Sequence, residues 1–209
     1  MPPTSNYPQV CLADGQPVML RPVVAADREL VARAFDRLSP RSRYFRFWTH
    51  YRRLGDSMLT RLVEADQWDH VVWAAMDPAR PVEPGFGGAS YWRSKEDPAL
   101  AEMSFTVADE AQRRGVGTLL LAVLWLLAER RGIDRFIGYT LLENHGARRW
   151  FTGLGAQVRA VGPQTVVRLA LDRSRLAPGR SSARLEQWLE QLPPLLAPWL
   201  AEEGAGTGV

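Results

Sequence analysis

The sequence contains a single cysteine, Cys11, among its 209 residues. One cysteine excludes an intrachain disulfide and a cysteine-based zinc cluster, and it fits a protein that works in a reducing compartment. The three histidines, His50, His70 and His145, fall in different predicted elements and lack the spacing of metal ligands. We therefore expect no metal site.

Long apolar segments are also missing. The longest apolar run covers residues 119–128 and is well short of the roughly 20 residues that a membrane-spanning helix needs. The first residues carry neither the basic region nor the apolar stretch of a secretory signal. These absences predict a soluble, cytoplasmic protein.

Charge of one sign is not concentrated anywhere in the chain. Its 26 basic and 23 acidic residues are interspersed and leave a formal net charge of +3, a balance that suits a small polyanionic ligand as well as any other partner.

Prolines cluster near both ends of the chain. We predict a flexible tail over residues 1–16, one folded domain over residues 17–173, and a proline-interrupted amphipathic helical tail over residues 174–209.

The middle of the chain alternates between strand and helix patterns. A short strand at residues 18–22 precedes three helical segments, the second of which begins at Ser39-Pro40. Further strands are predicted at residues 71–76, 85–93, 101–107 and 136–142, with a hairpin at 158–171 and helices from residues 119 and 144. This order predicts an α/β (α+β) domain whose three central strands run antiparallel.

The most informative stretch joins the strand that ends at Val107 to the apolar helix near residue 119. It contains Gln112, Gly115 and Gly117, so a tight loop with two glycines leads into a helix. Backbone N–H groups of such a loop converge on one point, and the helix N-terminus adds unpaired donors. We expect a site for a pyrophosphate-sized anion, in which both glycines give close access and allow positive φ.

Other phosphate-binding motifs do not fit this loop. The chain has no Gly-x-x-x-x-Gly-Lys-Ser/Thr, and Leu120 occupies the third position of Gly-x-Gly-x-x-Gly. The remaining pattern, Gln112-x-x-Gly115-x-Gly117, resembles the acyl-CoA loop of the GNAT N-acetyltransferase superfamily.

The resemblance extends over residues 18–172 and includes the helix start at Asn144-x-x-Ala147. Residues 38–47 also resemble the Leu-Ser-Pro-x-Ser-Arg-Tyr-x-Arg-Phe segment of bacterial protein lysine acetyltransferases. The resemblance implies the GNAT fold, which is a mixed, mostly antiparallel, twisted sheet of about six to seven strands flanked by helices. It also implies that the fourth strand splays from the fifth.

GNAT proteins bind acetyl-CoA, their acyl donor, in the gap between these two strands. The resemblance implies that the pantetheine arm pairs with the fourth strand, that Arg113 and Arg114 add charge near the phosphates, and that Asn144 lies near the thioester. The residues expected to contact acetyl-CoA are Phe105, Thr106, Val107, Gln112, Arg113, Arg114, Gly115, Val116, Gly117, Thr118, Asn144, Ala147 and Phe151.

Acyl transfer to an amine needs a group that accepts a proton near neutral pH. The resemblance implies that Glu102, on the strand leading into the loop, is the general base, and burial beside Met103 would favour proton acceptance. Glu110 and Glu143 are weaker candidates. The alternative for Glu102 is a structural carboxylate paired with an arginine.

Many GNAT enzymes protonate the departing thiolate with a tyrosine seven residues after the Asn144 position, where this sequence has Phe151. Either another tyrosine, such as Tyr139 or Tyr91, replaces it, or the thiolate leaves without help. The main hypothesis is acetyl transfer to a primary amine, with protein lysine favoured as the acceptor. Small-molecule amine acetylation and a catalytically weak acyl-CoA-binding regulatory module stay open.

Two segments carry many aromatic side chains. Residues 41–53 interleave them with arginines, a composition that also occurs on nucleic-acid-binding surfaces. We favour two helices that line the acceptor groove, because the net charge is small, and we do not expect nucleic acid as a partner. In the C-terminal tail, Trp188 and Trp199 either pack on the domain or form a homodimer interface.

Overall fold

The computed structural model of the chain describes residues 7–48 and 53–201, so the predicted positions His50, Tyr51 and Arg52 lie outside the described residues. The described residues form one eight-stranded sheet in the order β1-β2-β3-β4-β5-β6-β8-β7, with helices on both faces. The strands are β1 (Gln9–Cys11), β2 (Pro17–Pro22), β3 (His70–Met76), β4 (Gly87–Arg93), β5 (Leu100–Val107), β6 (Arg135–Leu141), β7 (Gln157–Val161) and β8 (Gln164–Ala170).

Seven α-helices accompany this sheet within the described residues. The helices are α1 (Arg28–Arg37), α2 (Pro40–Phe47), α3 (Asp56–Val63), α4 (Val116–Arg130), α5 (His145–Gly153), α6 (Arg180–Gln191) and α7 (Pro193–Ala201). Strand β3 shows how the two faces are shared, because successive side chains of a strand point to opposite sides. Val71 and Trp73 pack in the large core that contains α4, whereas Val72 packs with Val63 of α3 in a smaller cluster.

Helix α4 lies at the centre of the large core. Nearly every side chain from Val116 to Ala128 is buried, so the helix is apolar all round. Such a helix needs cover on every side. The sheet covers one side, and α6 and α7 pack on the helix as well. The helix ends at Arg130 and is followed by Gly132 with φ +74°, as its basic end and the following glycine predict.

The sheet is antiparallel except between β5 and β6. These two strands pair in parallel through only three positions, from Leu100 with Arg135 to Glu102 with Ile137. Beyond Glu102, β5 keeps its pairing with β4 as far as Val107, whereas its pairing with β6 ends. The predicted mixed sheet and its splayed strands are therefore confirmed.

The sheet has one strand more than predicted, so the splayed strands are the fifth and sixth. The additional strand, β1, pairs with β2 through a turn in which Gly15 has φ +82°. Asp14-Gly15 is a common hairpin signal, but the strand before it is only three residues long and carries no alternating apolar pattern. These residues lie within the stretch that the sequence analysis placed in an N-terminal tail.

The C-terminal helices pack on the rest of the chain. Leu185, Leu189, Leu192 and Leu196 are at most 1% exposed and belong to the large core. Trp199 contacts Trp73 edge-on with a ring-centroid distance of 5.4 Å. The aromatic side chains of the tail therefore pack on the chain itself.

Within the described residues, no helix is long and apolar enough to cross a bilayer.

Candidate active site

A large cleft of about 1690 Å³ opens where β5 and β6 separate. It is bordered by α2, by the loop before α4, by the first turn of α5 and by one face of α6. All the predicted site residues line this cleft except Val116, whose side chain is buried in the core. Val116 can therefore reach a ligand only through its backbone.

The loop before α4 has the backbone form expected of an anion site. Gly115 is the N-cap of α4 with φ +98°, and Arg113 has φ +62°, a conformation that is uncommon for a residue with a side chain. Gly117 differs from the prediction, because it lies in the first turn of α4 and is not among the glycines with positive φ. An alanine methyl at Gly117 would lie 3.7 Å from Trp150.

Gln112 closes this loop onto its surroundings. Its Nε2 donates to the Val107 carbonyl over 3.2 Å and to Ser42 Oγ over 3.3 Å. Asp109 extends the connection, since it accepts hydrogen bonds from Ser39 N–H, Ser39 Oγ and Ser42 Oγ over 2.7–2.9 Å. Ser39 is also the N-cap of α2. The first turn of α2 is therefore fixed to the loop that would hold the phosphates.

The two loop arginines have different surroundings. Arg114 donates from Nε to Asp14 over 2.7 Å, and this contact lowers the pKa of Asp14. Within residues 7–48 and 53–201, Arg113 makes no hydrogen bond or ion pair. Of the two, Arg113 is the one whose guanidinium is available to an anion.

Aromatic rings form the wall of the cleft beside α5. Phe105 contacts Trp150 and Phe151 with ring-centroid distances of 5.4 and 6.2 Å, and Trp150 Nε1 donates to Thr118 Oγ1 over 3.2 Å. Asn144 is the N-cap of α5, where its Oδ1 accepts from Ala147 N–H over 3.2 Å. The Asn144-x-x-Ala147 spacing thus fixes the start of α5 at the edge of the cleft.

The family model of the acetyltransferase (GNAT) domain matches residues 18–157, which is well over half of the chain. The chain belongs to the GNAT acetyltransferase family. Acetyltransferase Pat of Mycolicibacterium smegmatis is 32% identical over 142 residues, which make up 68% of this chain and 42% of Pat. This chain therefore spans less than half the length of that relative. Acetyltransferase PA5475 of Pseudomonas aeruginosa is 27% identical over 148 residues, 69% of this chain and 77% of that protein.

Solved structures show the same GNAT fold. The GNAT domain of S. lividans PAT has a TM-score of 0.72 at 27% identity, over 81% of this chain and 99% of that domain. The structure of yncA from Salmonella typhimurium with acetyl-CoA has a TM-score of 0.55 at 22% identity, over 74% of this chain and 94% of that one. The predicted family and fold class are confirmed, and the family is one of acetyltransferases.

Glu102 lies at the point where the GNAT sheet opens. It is the last β5 residue that pairs with β6, and it lines the cleft. The expected burial of this carboxyl is wrong, because Glu102 is exposed while Ala101 and Met103 on either side are buried. Strand alternation explains the difference, since Met103 points to the face covered by α4.

A half-buried arginine faces the same part of the cleft. Arg46 of α2 donates from Nε to Thr106 Oγ1 over 3.1 Å. Burial lowers the pKa of Arg46 to about 10, and attraction by the Glu102 carboxylate opposes that shift. Arg46 belongs to the arginine-aromatic segment of residues 41–53, whose sequence does not indicate that it lies near Glu102.

The other candidate groups separate clearly by position. Glu110 forms an ion pair with Arg37. Glu143 shares a hydrogen bond with Tyr44, which raises the pKa of that tyrosine. Neither glutamate lines the cleft. Tyr91 is fully buried, and its hydroxyl accepts a hydrogen bond of 2.8 Å from Arg131. Tyr91 does not line the cleft.

Tyr139 is 43% exposed on β6 and lines the cleft. Among the residues that the structure describes, no three His, Cys, Asp or Glu side chains are arranged to hold a metal ion.

Proposed function

We propose that the chain transfers the acetyl group of acetyl-CoA to a primary amine by direct attack, with Glu102 as the general base. The observation that carries the proposal is that Glu102 and the anion-binding loop line one cleft, with Glu102 at the point where β5 and β6 separate. A donor bound along β5 from the loop would bring its thioester toward Glu102.

The residues of the cleft fit acetyl-CoA. The positive φ angles of Arg113 and Gly115 turn successive backbone N–H groups toward one point, and the N-terminus of α4 adds its free donors. Such a site suits a diphosphate. The unpaired part of β5 offers backbone groups to an amide-containing arm, and Phe105 with the α5 aromatic rings closes the apolar side.

The reaction needs a proton acceptor for the amine, whereas a proton donor for the thiolate is not essential. The amine nitrogen forms a bond to the thioester carbonyl carbon, and the carbon–sulfur bond then breaks. Glu102 accepts the proton that the amine loses, directly or through water, while backbone N–H groups of the splayed strand stabilise the oxyanion. The thiolate leaves without help or takes a proton from Tyr139. Tyr139 is the tyrosine considered, because the other candidate, Tyr91, is buried and does not line the cleft.

We propose a protein lysine as the acceptor. The cleft is wide, and exposed Trp48 and Tyr139 line it, so a side chain on a protein surface can enter. Its acidic lining residues are Asp14, Glu102 and Asp109, of which Asp14 and Asp109 already have partners. A polycationic small molecule would therefore find little unpaired negative charge. A neutral small amine remains the alternative acceptor.

Three further predictions accompany this function. Residues 17–173 form the acetyltransferase domain, and residues 174–209 are an addition to it. The homodimer through this tail stays a prediction, and it would have to use the outer side of α6 and α7, since the leucines of the inner side are already buried. The cytoplasmic location also stays a prediction.

The test is the release of CoA thiol from acetyl-CoA in the presence of lysine peptides and small amines. We expect release by the wild-type protein and a rate about 100-fold to 10,000-fold lower for Glu102→Gln, with acetyl-CoA affinity retained. Glu64→Gln, an exposed change outside the cleft, is the matched control. Tight acetyl-CoA binding without release from any acceptor would instead support the regulatory module, in keeping with Phe151 at the tyrosine position.

A further inference from the structure

Helix α6 has one buried face and one face in the cleft. Leu185, Trp188 and Leu189 are at most 5% exposed and pack in the large core. Arg180 and Arg184, which are one helical turn apart, line the cleft together with the loop before α4. The amphipathic pattern of α6 thus turns two arginines toward the donor site.

The position of α6 is fixed by contacts with α4 and α5. Ser182 Oγ donates to the Gly153 carbonyl at the end of α5 over 3.1 Å. The leucines of α6 pack beside α4, so the arginine face has a defined orientation relative to the loop that begins α4. The family match ends at residue 157, so α6 lies beyond the matched residues.

Arg184 comes closest to the loop. Its Cδ and Nη1 lie 3.6 Å from the position that a Cβ at Gly115 would occupy. Within the described ranges 7–48 and 53–201, the side chains of Arg180 and Arg184 make no hydrogen bond or ion pair. Arg113, Arg180 and Arg184 are thus three cations without an anionic partner in the described residues, and they line the same cleft as the loop before α4.

We propose that α6 completes the donor site, with Arg180 and Arg184 binding phosphate groups of acetyl-CoA. The inference rests on the proposed binding of acetyl-CoA. Guanidinium groups form strong, forked hydrogen bonds with phosphates, so unpaired arginines in this cleft suit the phosphate groups of the donor. The C-terminal helix is therefore part of the binding site and does not only cover the core.

CoA carries two kinds of phosphate, the diphosphate and the 3′-phosphate, and dephospho-CoA lacks only the second. The test measures dissociation constants for both ligands by calorimetry with wild type, Arg180→Met and Arg184→Met. Methionine keeps most of the aliphatic stem and removes the charge. Arg159→Met, an exposed change outside the cleft, is the matched control.

We expect each α6 variant to bind CoA about 10-fold more weakly than wild type, and Arg184→Lys to recover part of the loss. Equal weakening for CoA and dephospho-CoA would place the arginine on the diphosphate, and weakening for CoA alone would place it on the 3′-phosphate. Wild-type affinity for both ligands in Arg180→Met and Arg184→Met would overturn the proposal. A wild-type protein that binds neither ligand would contradict the proposed function as well.

Turnover gives a second readout that a merely structural role would not produce. Loss of a phosphate contact far from the reacting atoms should raise KM for acetyl-CoA and leave kcat nearly unchanged. Thermal unfolding should stay close to wild type, because neither arginine has a partner in the described residues. A lower kcat with unchanged KM, or a large loss of stability, would count against a phosphate-binding role.

Discussion

Arg46 of α2 donates from Nε to Oγ1 of Thr106 on β5 over 3.1 Å, and so joins the helix and the splayed strand across the cleft. It also borders a smaller apolar cavity of about 140 Å³ between α1 and the sheet. Although burial lowers the pKa of Arg46 to about 10, the guanidinium stays cationic at neutral pH. Arg46 therefore sets both the position of α2 and the charge near Glu102.

Replacing Arg46 by methionine should affect catalysis more than donor binding. The change removes the hydrogen bond that holds α2 to Thr106 of β5, and it removes the cation that attracts the Glu102 carboxylate. We expect kcat to fall about 10-fold, as for the loss of one charge-assisted hydrogen bond, with the acetyl-CoA dissociation constant changed by less than about 3-fold. Arg159→Met is the control. An unchanged kcat would show that Arg46 does not act on the base.

The donor loop was predictable because its signals are local. Gln112, Gly115 and Gly117 lie within six residues of sequence, and the glycine at 115 has the backbone form that its position requires. Strand alternation also indicates, from sequence alone, that Glu102 and Met103 point to opposite faces. The predicted burial of Glu102 overlooked this alternation.

The contacts between distant segments could not be predicted in the same way. Nothing in the local pattern around Arg46 indicates that it faces Glu102, 56 positions later, because that contact depends on how α2 crosses the sheet. The same holds for Arg184 beside Gly115. One non-local signal was available, since an all-apolar α4 requires a second covering layer, and the leucine-rich tail was the segment left to provide it.

Asp109 should stabilise the protein in a pH-dependent way. Burial raises its pKa, but hydrogen bonds from Ser39 and Ser42 outweigh this, so its pKa lies below the ordinary 3.8. A carboxyl with a lowered native pKa contributes stability above its unfolded value, and the contribution is lost as pH falls through the native value. Wild type should therefore be more stable than Asp109→Asn at about pH 6, and the difference should shrink toward about pH 3.

Urea denaturation of both proteins at the two pH values measures this difference in the free energy of unfolding. Asp36→Asn, on α1, is a suitable control because the exposed Asp36 carboxyl makes no hydrogen bond or ion pair in the part of the chain that the structure describes. A difference between wild type and Asp109→Asn that is the same at both pH values would refute the electrostatic explanation.

Gly115 and Gly117 should respond differently to alanine. Gly115→Ala places a side chain at φ +98° and should cost about 1–2 kcal/mol of stability. Gly117→Ala lies in a helix, and its methyl would make only ordinary contacts with Trp150, so stability should be unchanged or rise by up to about 1 kcal/mol. Both changes should weaken acetyl-CoA binding.

Chemical denaturation and calorimetry on the same two variants separate backbone strain from access to the ligand. The informative protein is Gly117→Ala, which should be stable yet bind the donor poorly. If it binds acetyl-CoA as wild type does, the first turn of α4 does not approach the phosphates, and the assignment of the loop would have to change.

Leu189→Ala should show how strongly α6 holds the core together. Leu189 is 1% exposed beside α4, so truncation removes buried contacts and leaves a cavity, at a cost of about 2–5 kcal/mol. Leu195 on α7 is 40% exposed, so Leu195→Ala should cost much less and serves as the control. Denaturant unfolding measures both changes. If the two substitutions cost the same, α6 would not be integrated into the core, and its arginines would have no fixed position at the donor site.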